Sequence, residues 1–213
     1  MATSQSRSLS IIIPSYNGAK YLSTALDSLP SVEEGEETSY EVILVDDGST
    51  DATLSIAESY QDRLPLRIVA RPHNGNWIRN TILGMGMASG RFTCWLHQDD
   101  SWLPRRWDVV CQFISKASDT DVLIHPAEYM DASGRTVGRW RCPFPNRSVE
   151  LASNGVLQKL VVQNFLAAST PVFAASLIER VGFPDERQWY CGDWEYWLRI
   201  VAEGSVQYTP EPL

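Results

Sequence analysis

The strongest constraint on this chain is a recurrence in its first half: a short apolar run, an abrupt stop, then a helical pattern. Leu9 to Ile13 ends at Pro14, Val42 to Val45 ends at Asp46-Asp47, Leu66 to Ala70 ends at Arg71-Pro72, and Phe92 to Leu96 ends at His97-Gln98-Asp99-Asp100. The runs from Leu9 and from Val42 read as strands buried on both faces, the habit of parallel sheets, and those from Leu66 and from Phe92 read as further strands. Between them, Tyr21, Leu22, Ala25, Leu26 and Leu29 share one helical face, as do Leu54, Ile56, Ala57 and Tyr60. Trp77 to Ala88 and Arg105 to Ser118 supply two more helices. Strand and helix alternate over short connections, so a parallel sheet with right-handed crossovers is predicted.

Beyond Asp121 the pattern changes. Val122 to Tyr129 and Val137 to Trp140 flank Asp131-Ala132-Ser133-Gly134, a hairpin turn signal, so the second half is expected to carry antiparallel strands. Arg141 to Ser148 reads as a Pro-containing loop, and Val156 to Leu166 and Ala174 to Val181 read as helices. A last helix starts near Gly192-Asp193, with Trp194, Trp197, Leu198 and Val201 on one face. Ser49, Thr50 and Asp51 are suited to capping the second helix, and the acidic stretch 33–37 reads as a solvated loop. The run from Gly84 to Gly90 has the glycine content of a dinucleotide loop, but it closes a helix instead of joining a strand to one. It reads as tight packing and a C-cap.

At 213 residues the chain suits a single domain with a sizeable core. A formal charge of -8 and a pI near 4.9 exclude a general nucleic-acid binder, whose affinity rests on a basic face. A phosphate-bearing ligand then requires local arginine or a metal. The cysteines Cys94, Cys111, Cys142 and Cys191 show neither zinc spacing nor a disulfide framework, so reduced thiols in the cytoplasm are expected. Met1 to Ser8 lacks an apolar signal core and no window reaches the length of a membrane span.

Three acidic groups carry the chemistry: Asp46-Asp47, Asp99-Asp100, and Asp193 with Glu195. The first two stand at strand ends, where open α/β sheets bind ligands, and the third starts a helix. Paired carboxylates repel each other unless a cation compensates. Oxygen ligands without His/Cys spacing favour Mg²⁺ or Mn²⁺, its shell completed by phosphate oxygens.

These residues also carry a resemblance. Ile11-Ile12-Ile13-Pro14-Ser15-Tyr16-Asn17-Gly18, Val45-Asp46-Asp47-Gly48-Ser49-Thr50-Asp51, Asn74-Gly75 with Arg79-Asn80, Asp99-Asp100-Ser101-Trp102-Leu103, and Asp193 with Trp197-Leu198-Arg199 resemble the inverting family-two glycosyltransferases of the GT-A fold, over nearly the whole chain. The resemblance implies a Rossmann-like three-layer α/β/α sandwich, mostly parallel with antiparallel additions. It implies a nucleoside-diphosphate sugar donor, Mn²⁺ or Mg²⁺, and transfer with inversion to a sugar, lipid-linked or protein-linked acceptor, in polysaccharide or glycoconjugate synthesis. Residues of about 9–118 would bind the donor and those of about 119–213 the acceptor. Pro14 and Tyr16 would line the nucleoside pocket, Asp46 would accept from the base, and Arg79 would approach the nucleotide. Asp99 would bind metal with Asp100 beside it, and Asp193 would be the general base. Gly192 stands where the family carries Glu, leaving space beside Asp193, and His97 stands at the first position of the Asp-x-Asp signature, where it contacts sugar or packs. Glu195 and His125 would be the next candidates for the base.

Trp102, Trp140, Trp189 and Trp194 are candidates for stacking on sugar rings, although aromatics are more often core. Because family members continue further, the resemblance implies a catalytic domain shortened at its C-terminus, with any contact to the inner face of a membrane made by missing segments or partners. The alternative is a catalytically silent module of the same fold that binds nucleotide-sugar or glycan, favoured by His97 and Gly192. A sugar-phosphate nucleotidyltransferase would want a glycine-rich basic loop after the first strand, which Ser15-Tyr16-Asn17-Gly18 does not supply.

Overall fold

The computed structural model describes residues 8–32 and 39–213; the acidic stretch 33–37 and most of the polar N-terminus lie outside them. The predicted first half is present. Strands β1 (Leu9–Ser15), β2 (Tyr40–Asp46), β3 (Leu66–Ala70) and β4 (Phe92–Trp95) alternate with helices α1 (Leu22–Asp27), α2 (Thr53–Glu58), α3 (Trp77–Met87) and α4 (Arg106–Ile114). The strands pair in parallel, β1 between β2 and β4, with Ile12 level with both Ile43 and Trp95. All of β1 and β2 is buried, which is why both read as uninterrupted apolar runs.

The second half adds β5 (Asp121–Ile124), β6 (Ala127–Met130), β7 (Thr136–Trp140), β8 (Val149–Leu151), α5 (Ser153–Leu160), β9 (Val172–Ala174), α6 (Ser176–Val181), α7 (Gly192–Glu203) and β10 (Ser205–Tyr208). Among the described residues the main sheet runs β3-β2-β1-β4-β9-β5-β10-β8. Strand β9 is antiparallel to both β4 and β5, and β8 is antiparallel to β10. These are the antiparallel additions.

Several boundaries differ from expectation. The stretch from Val122 to Tyr129 is two strands, because His125-Pro126 breaks it: β5 joins the main sheet while β6 and β7 form a separate hairpin arm. The turn of that arm is the predicted one, with Gly134 at φ 78°. Helix α5 stops at Leu160, leaving Val161 and Val162 exposed, and the predicted helix from Ala174 to Val181 is α6, starting at Ser176, with Ala174 itself closing strand β9. Tyr21 is exposed just outside α1. The cap of α2 is not built from Ser49: Asp51 Oδ1 accepts from Thr53 N, while Ser49 turns back to Asp46.

Helices cover both faces of the sheet. On one face α3 approaches so closely that a Cβ on Gly84 would stand 2.5 Å from Ile12 Cγ2. Close packing is therefore the role of that glycine, while the end of α3 is capped by Ala88 in extended conformation, with no glycine C-cap. On the same face Trp95 stacks on Tyr196 of α7 and meets Trp197 at a tilt, with centroids 5.6 Å and 4.5 Å apart. The buried face of α7 thus runs through Tyr196, Trp197, Ile200 and Val201, with Trp194 and Leu198 at its half-buried margin. Each such side chain contributes roughly 1.5 to 3 kcal/mol on burial, enough to dock this amphipathic helix firmly. Helix α4 covers the opposite face, where Phe113 meets Phe92 and Arg106 reaches Cys94.

Candidate active site

Three loops at the carboxyl edge of the sheet are tied to one another by side chains. Asp46, at the end of β2, is fully buried, and its two oxygens accept from Ser49 Oγ (2.5 Å) and Ser49 N (2.9 Å). Ser49 Oγ in turn accepts from Asn17 N, and Asn17 Oδ1 accepts from Thr50 N, so the β2 loop holds the β1 loop. Asp47 is the anchor of a third loop: its carboxylate accepts from Asn74 N, Asn74 Nδ2 and Gly75 N, and His73 Nδ1 lies at its backbone oxygen and 2.9 Å from Oδ2. The His73 ring stacks on Tyr16, centroids 4.3 Å apart. Tyr16 is 41% exposed and offers a flat aromatic face at this edge, whereas Pro14 is buried inside β1.

Gln98 joins the β4 loop to the same assembly. Its Oε1 accepts from Ser15 Oγ (2.7 Å) and Tyr16 N (2.9 Å), and its Nε2 donates to Tyr16 O (3.0 Å). Gly18 is glycine for this reason, since a Cβ there would collide with the Gln98 amide.

Asp99 and Asp100 are exposed at the wall of a cavity of about 680 Å³ that lies between this loop, the β6–β7 arm and Ala167 to Thr170. Asp99 has no hydrogen-bond partner among the described residues, and Asp100 Oδ2 accepts from Ser169 Oγ (2.5 Å). Two adjacent carboxylates with free oxygens fit a hard divalent cation. No three His, Cys, Asp or Glu side chains converge among the described residues, so further ligands would be phosphate oxygens and water.

Ser169 also accepts from His97 N, so one hydroxyl fixes both His97 and Asp100. Its own backbone is held by Arg106, a fully buried arginine in the first turn of α4. Arg106 donates to Ser169 O (2.9 Å), Thr170 O (3.2 Å) and His125 Nε2 (2.6 Å), and its guanidinium lies 4.8 Å over the Trp102 ring. Burial, and next the Arg106 charge, hold the His125 imidazole well below its usual value, so it is neutral, accepting at Nε2 and donating from Nδ1 to Pro126 O. His125 is thereby excluded as an alternative base: it is buried and committed to this network.

Asp193 lies in the first turn of α7, half-buried, and accepts from Asn164 Nδ2 at 3.2 Å. Burial raises its pKa above the usual carboxylate value, against the lowering pull of hydrogen bonds and of nearby His97. His97 packs edge-on against Trp77, and its buried Nε2 has no partner among the described residues. The expected space at Gly192 is absent. A Cβ there would stand 2.5 Å from Ile78 Cδ1, so the glycine lets α7 pack on α3. Glu195 forms a bidentate pair with Arg199 and is not free to act as a base.

Arg79 points to the same end of α7, where Glu186 grips it with bonds of 2.8 and 3.0 Å. Of the tryptophans, Trp102 is buried and Trp194 donates to Leu160 O, while Trp189 is 61% exposed. Asp47 stood out in the sequence as a member of an acidic pair, but not as the anchor of the His73 to Gly75 loop; sequence reasoning missed His73, Gln98, Ser169 and Arg106. Gln98 alone of these had a local signal, as the central residue between His97 and Asp99; the others become visible only through contacts distant in sequence.

The family model described as "Glycosyl transferase family 2" matches residues 10–165. An uncharacterised glycosyltransferase of Rickettsia prowazekii is 26% identical over 206 residues, 96% of this chain and 62% of that protein. The poly(ribitol-phosphate) beta-N-acetylglucosaminyltransferase TarS of Staphylococcus aureus is 36% identical over 92 residues, 43% of this chain and 16% of TarS. This chain spans under two thirds of the length of these curated relatives. Among solved structures, S. aureus TarS 1–349 in complex with UDP superposes with TM-score 0.77 at 23% identity, covering 96% of this chain and 58% of that one. The mannosyltransferase PcManGT of Pyrobaculum calidifontis, in complex with GDP-Man and Mn²⁺, gives 0.64 at 16% identity, covering 98% and 56%. Sheet order, carboxyl-edge loops and the match over residues 10–165 agree: the chain has the GT-A fold and belongs to glycosyl transferase family 2.

Proposed function

We propose that this glycosyltransferase moves a sugar from a nucleoside diphosphate to an acceptor hydroxyl with inversion, assisted by Mn²⁺ or Mg²⁺, in polysaccharide or glycoconjugate synthesis. The observation that carries the reading is the placement of Asp193, half-buried in the first turn of α7, held by Asn164 at 3.2 Å and near His97 of the β4 loop, at the edge where the β1, β2 and β4 loops are cross-tied; burial raises its pKa in keeping with this. A single carboxylate poised above its usual pKa is suited to taking the proton of one acceptor hydroxyl. Residues of about 9–118 form the donor half and those of about 119–213 the acceptor half.

The Tyr16 face, backed by His73, offers a stacking surface for the nucleoside, with Pro14 fixing the strand beneath it. Asp46 keeps spare acceptor capacity beside its two bonds from Ser49, as a carboxylate has about four lone-pair sites. Asp99 and Asp100 would hold the cation, which supplies charge neutralisation for the diphosphate leaving group. Arg79 exchanges Glu186 for a phosphate oxygen, both being ligands that suit a planar guanidinium. Asn164 orients Asp193, and the half-buried setting keeps its carboxylate poorly solvated and therefore more basic. The UDP and UDP-GlcNAc complexes of TarS and the GDP-Man and Mn²⁺ complex of PcManGT support a nucleotide-sugar donor with a divalent cation.

The test is calorimetric titration with UDP, GDP and dTDP, each with Mn²⁺ and with chelator. One nucleotide is expected to bind, and far more tightly with Mn²⁺. Equal affinity in chelator would remove the metal, and no binding by any nucleotide would remove the donor reading. Release of free sugar from the matching nucleotide-sugar then separates an active enzyme from a silent binding module.

A further inference from the structure

The β6–β7 arm divides two concavities. One is the cavity beside Asp99 and Asp100; the other, of about 660 Å³, lies between β7 and the segment from the end of α5 to Phe165. Tyr129 is in the wall of both, and Asn164, which donates to Asp193, is in the wall of the second. The second groove therefore reaches the side chain that holds the candidate base.

Its chemistry is unlike the rest of the molecule. The chain carries a formal charge of -8 and only three lysines, yet this groove is lined by Arg139, Arg141 and Lys159 and by no Asp or Glu among the described residues. Arg139 is partly offset by Glu128 at 3.3 Å, whereas Arg141 and Lys159 are exposed and form no ion pair with a described residue. Gln158 and Gln163 add amide donors, and the Tyr129 and Trp140 rings, centroids 5.8 Å apart, form an aromatic wall. Uncompensated cations in an acidic protein focus a local positive field. Combined with amides and a ring face, they suit a ligand that is both polyol-like and negatively charged.

We infer that this groove is an acceptor subsite for an anionic glycan or polyol chain, bearing phosphodiester or carboxylate groups next to the unit presented to Asp193. The inference rests on the proposed assignment of Asp193 as the base. An anionic membrane is the less suitable occupant, since the cations line a concavity with an aromatic wall instead of a projecting face.

The experiment measures binding of fluorescent oligo(glycerol phosphate), oligogalacturonate and neutral dextran to the whole chain by anisotropy, with UDP and Mn²⁺ titrated on the same sample. At least one anionic oligomer is expected to bind, more weakly as salt rises, while dextran is far weaker. The double variant Arg141→Glu/Lys159→Glu should lose roughly tenfold or more in that affinity. Arg67→Glu/Arg180→Glu, an equal change of net charge outside the groove, should lose little, and neither pair should alter UDP binding. Preference between the two oligomers identifies phosphodiester or carboxylate as the recognised group. Equal binding of dextran, no loss in the groove variant, equal loss in the control pair, or binding only to phosphatidylglycerol vesicles would overturn the inference. Failure of UDP to bind while the oligomer effect persists would instead sink the donor reading and leave an anion-binding groove.

Discussion

At the scale of single residues, the environment of Asp193 fixes what its removal should do. Asp193→Asn keeps the size of the side chain in the first turn of α7, so donor affinity is expected to hold while turnover falls by about 10² to 10⁴, or roughly 3 to 5 kcal/mol of barrier. The acid limb of the pH-rate profile should lie above the usual Asp value of 3.8, because burial raises this group and only its ionised form accepts a proton. Wild-type turnover in the variant, or an acid limb at or below that value, would take Asp193 out of the base role. Asp46 is itself fully buried and carries two bonds from Ser49, so Asp46→Ala strands two part-buried donors at a cost of about 1 kcal/mol in stability, beside any lost nucleotide contact. Asp99→Asn is expected to weaken Mn²⁺-dependent nucleotide binding more than Asp100→Asn, since Asp100 already gives one oxygen to Ser169. The reverse ranking by calorimetry would make Asp100 the principal ligand.

At the scale of elements, the first half of the fold was legible because its physics is local. The buried strands β1, β2 and β4 need continuous apolar runs, the half-exposed edge strand β3 keeps a shorter one, and the helices between them need one apolar stripe, so β1 to β4 and α1 to α4 appear within a residue or a few of their predicted places. The second half depends on distant partners. Strand β9 is three residues whose only reason to be extended is the gap between β4 and β5, and no local spacing encodes that. His125 and Pro126 divide one apolar run into a sheet strand and an arm strand because His125 is claimed by Arg106 from another element. The site followed the same rule: Asp46, Asp99, Asp100 and Asp193 stood out by motif, whereas Ser169 and Gln98 act through contacts 69 and 83 residues away in sequence. Gly192 is the position where motif and packing part. Gly192→Ala should cost about 1 to 3 kcal/mol by pressing α7 off α3, and Ile78→Val should recover part of that loss in a double-mutant cycle read by urea denaturation. Additivity of the two changes would show that the helices do not meet there.

At the scale of the whole molecule, the buried Arg106-His125 pair makes stability depend on pH. In the native state His125 stays neutral well below 6.5, while in the unfolded chain it takes up a proton near that value. The unfolded state then binds more protons, so this group stabilises the fold fully above pH 6.5 and progressively less as pH falls. The slope it contributes approaches about 1.4 kcal/mol per pH unit. Asp193 acts in the opposite sense, since its raised pKa favours the native state at low pH and that contribution is lost as pH rises through its native value. Urea unfolding between pH 5 and pH 7 should therefore show wild-type stability rising with pH, and His125→Asn, whatever its starting stability, should show a flatter dependence. Parallel curves would mean that His125 titrates alike in the native and unfolded protein, which its burial beside Arg106 should prevent.

Gln98 carries a consequence for ligand energetics. One amide is bonded at the same time to Ser15 and to both backbone groups of Tyr16, and its own backbone lies between His97 and Asp99. Whatever reorients the β4 loop beside Asp99 is transmitted to the Tyr16 ring, and the reverse holds by thermodynamic necessity. A nucleotide bound as proposed, with its phosphates at Asp99 and its nucleoside on Tyr16, would thus be read at both ends as one unit. Pyrophosphate with Mn²⁺ and the free nucleoside, added together, should each bind with an affinity that depends on the other, and Gln98→Ala should make them indifferent to one another while leaving each site in place.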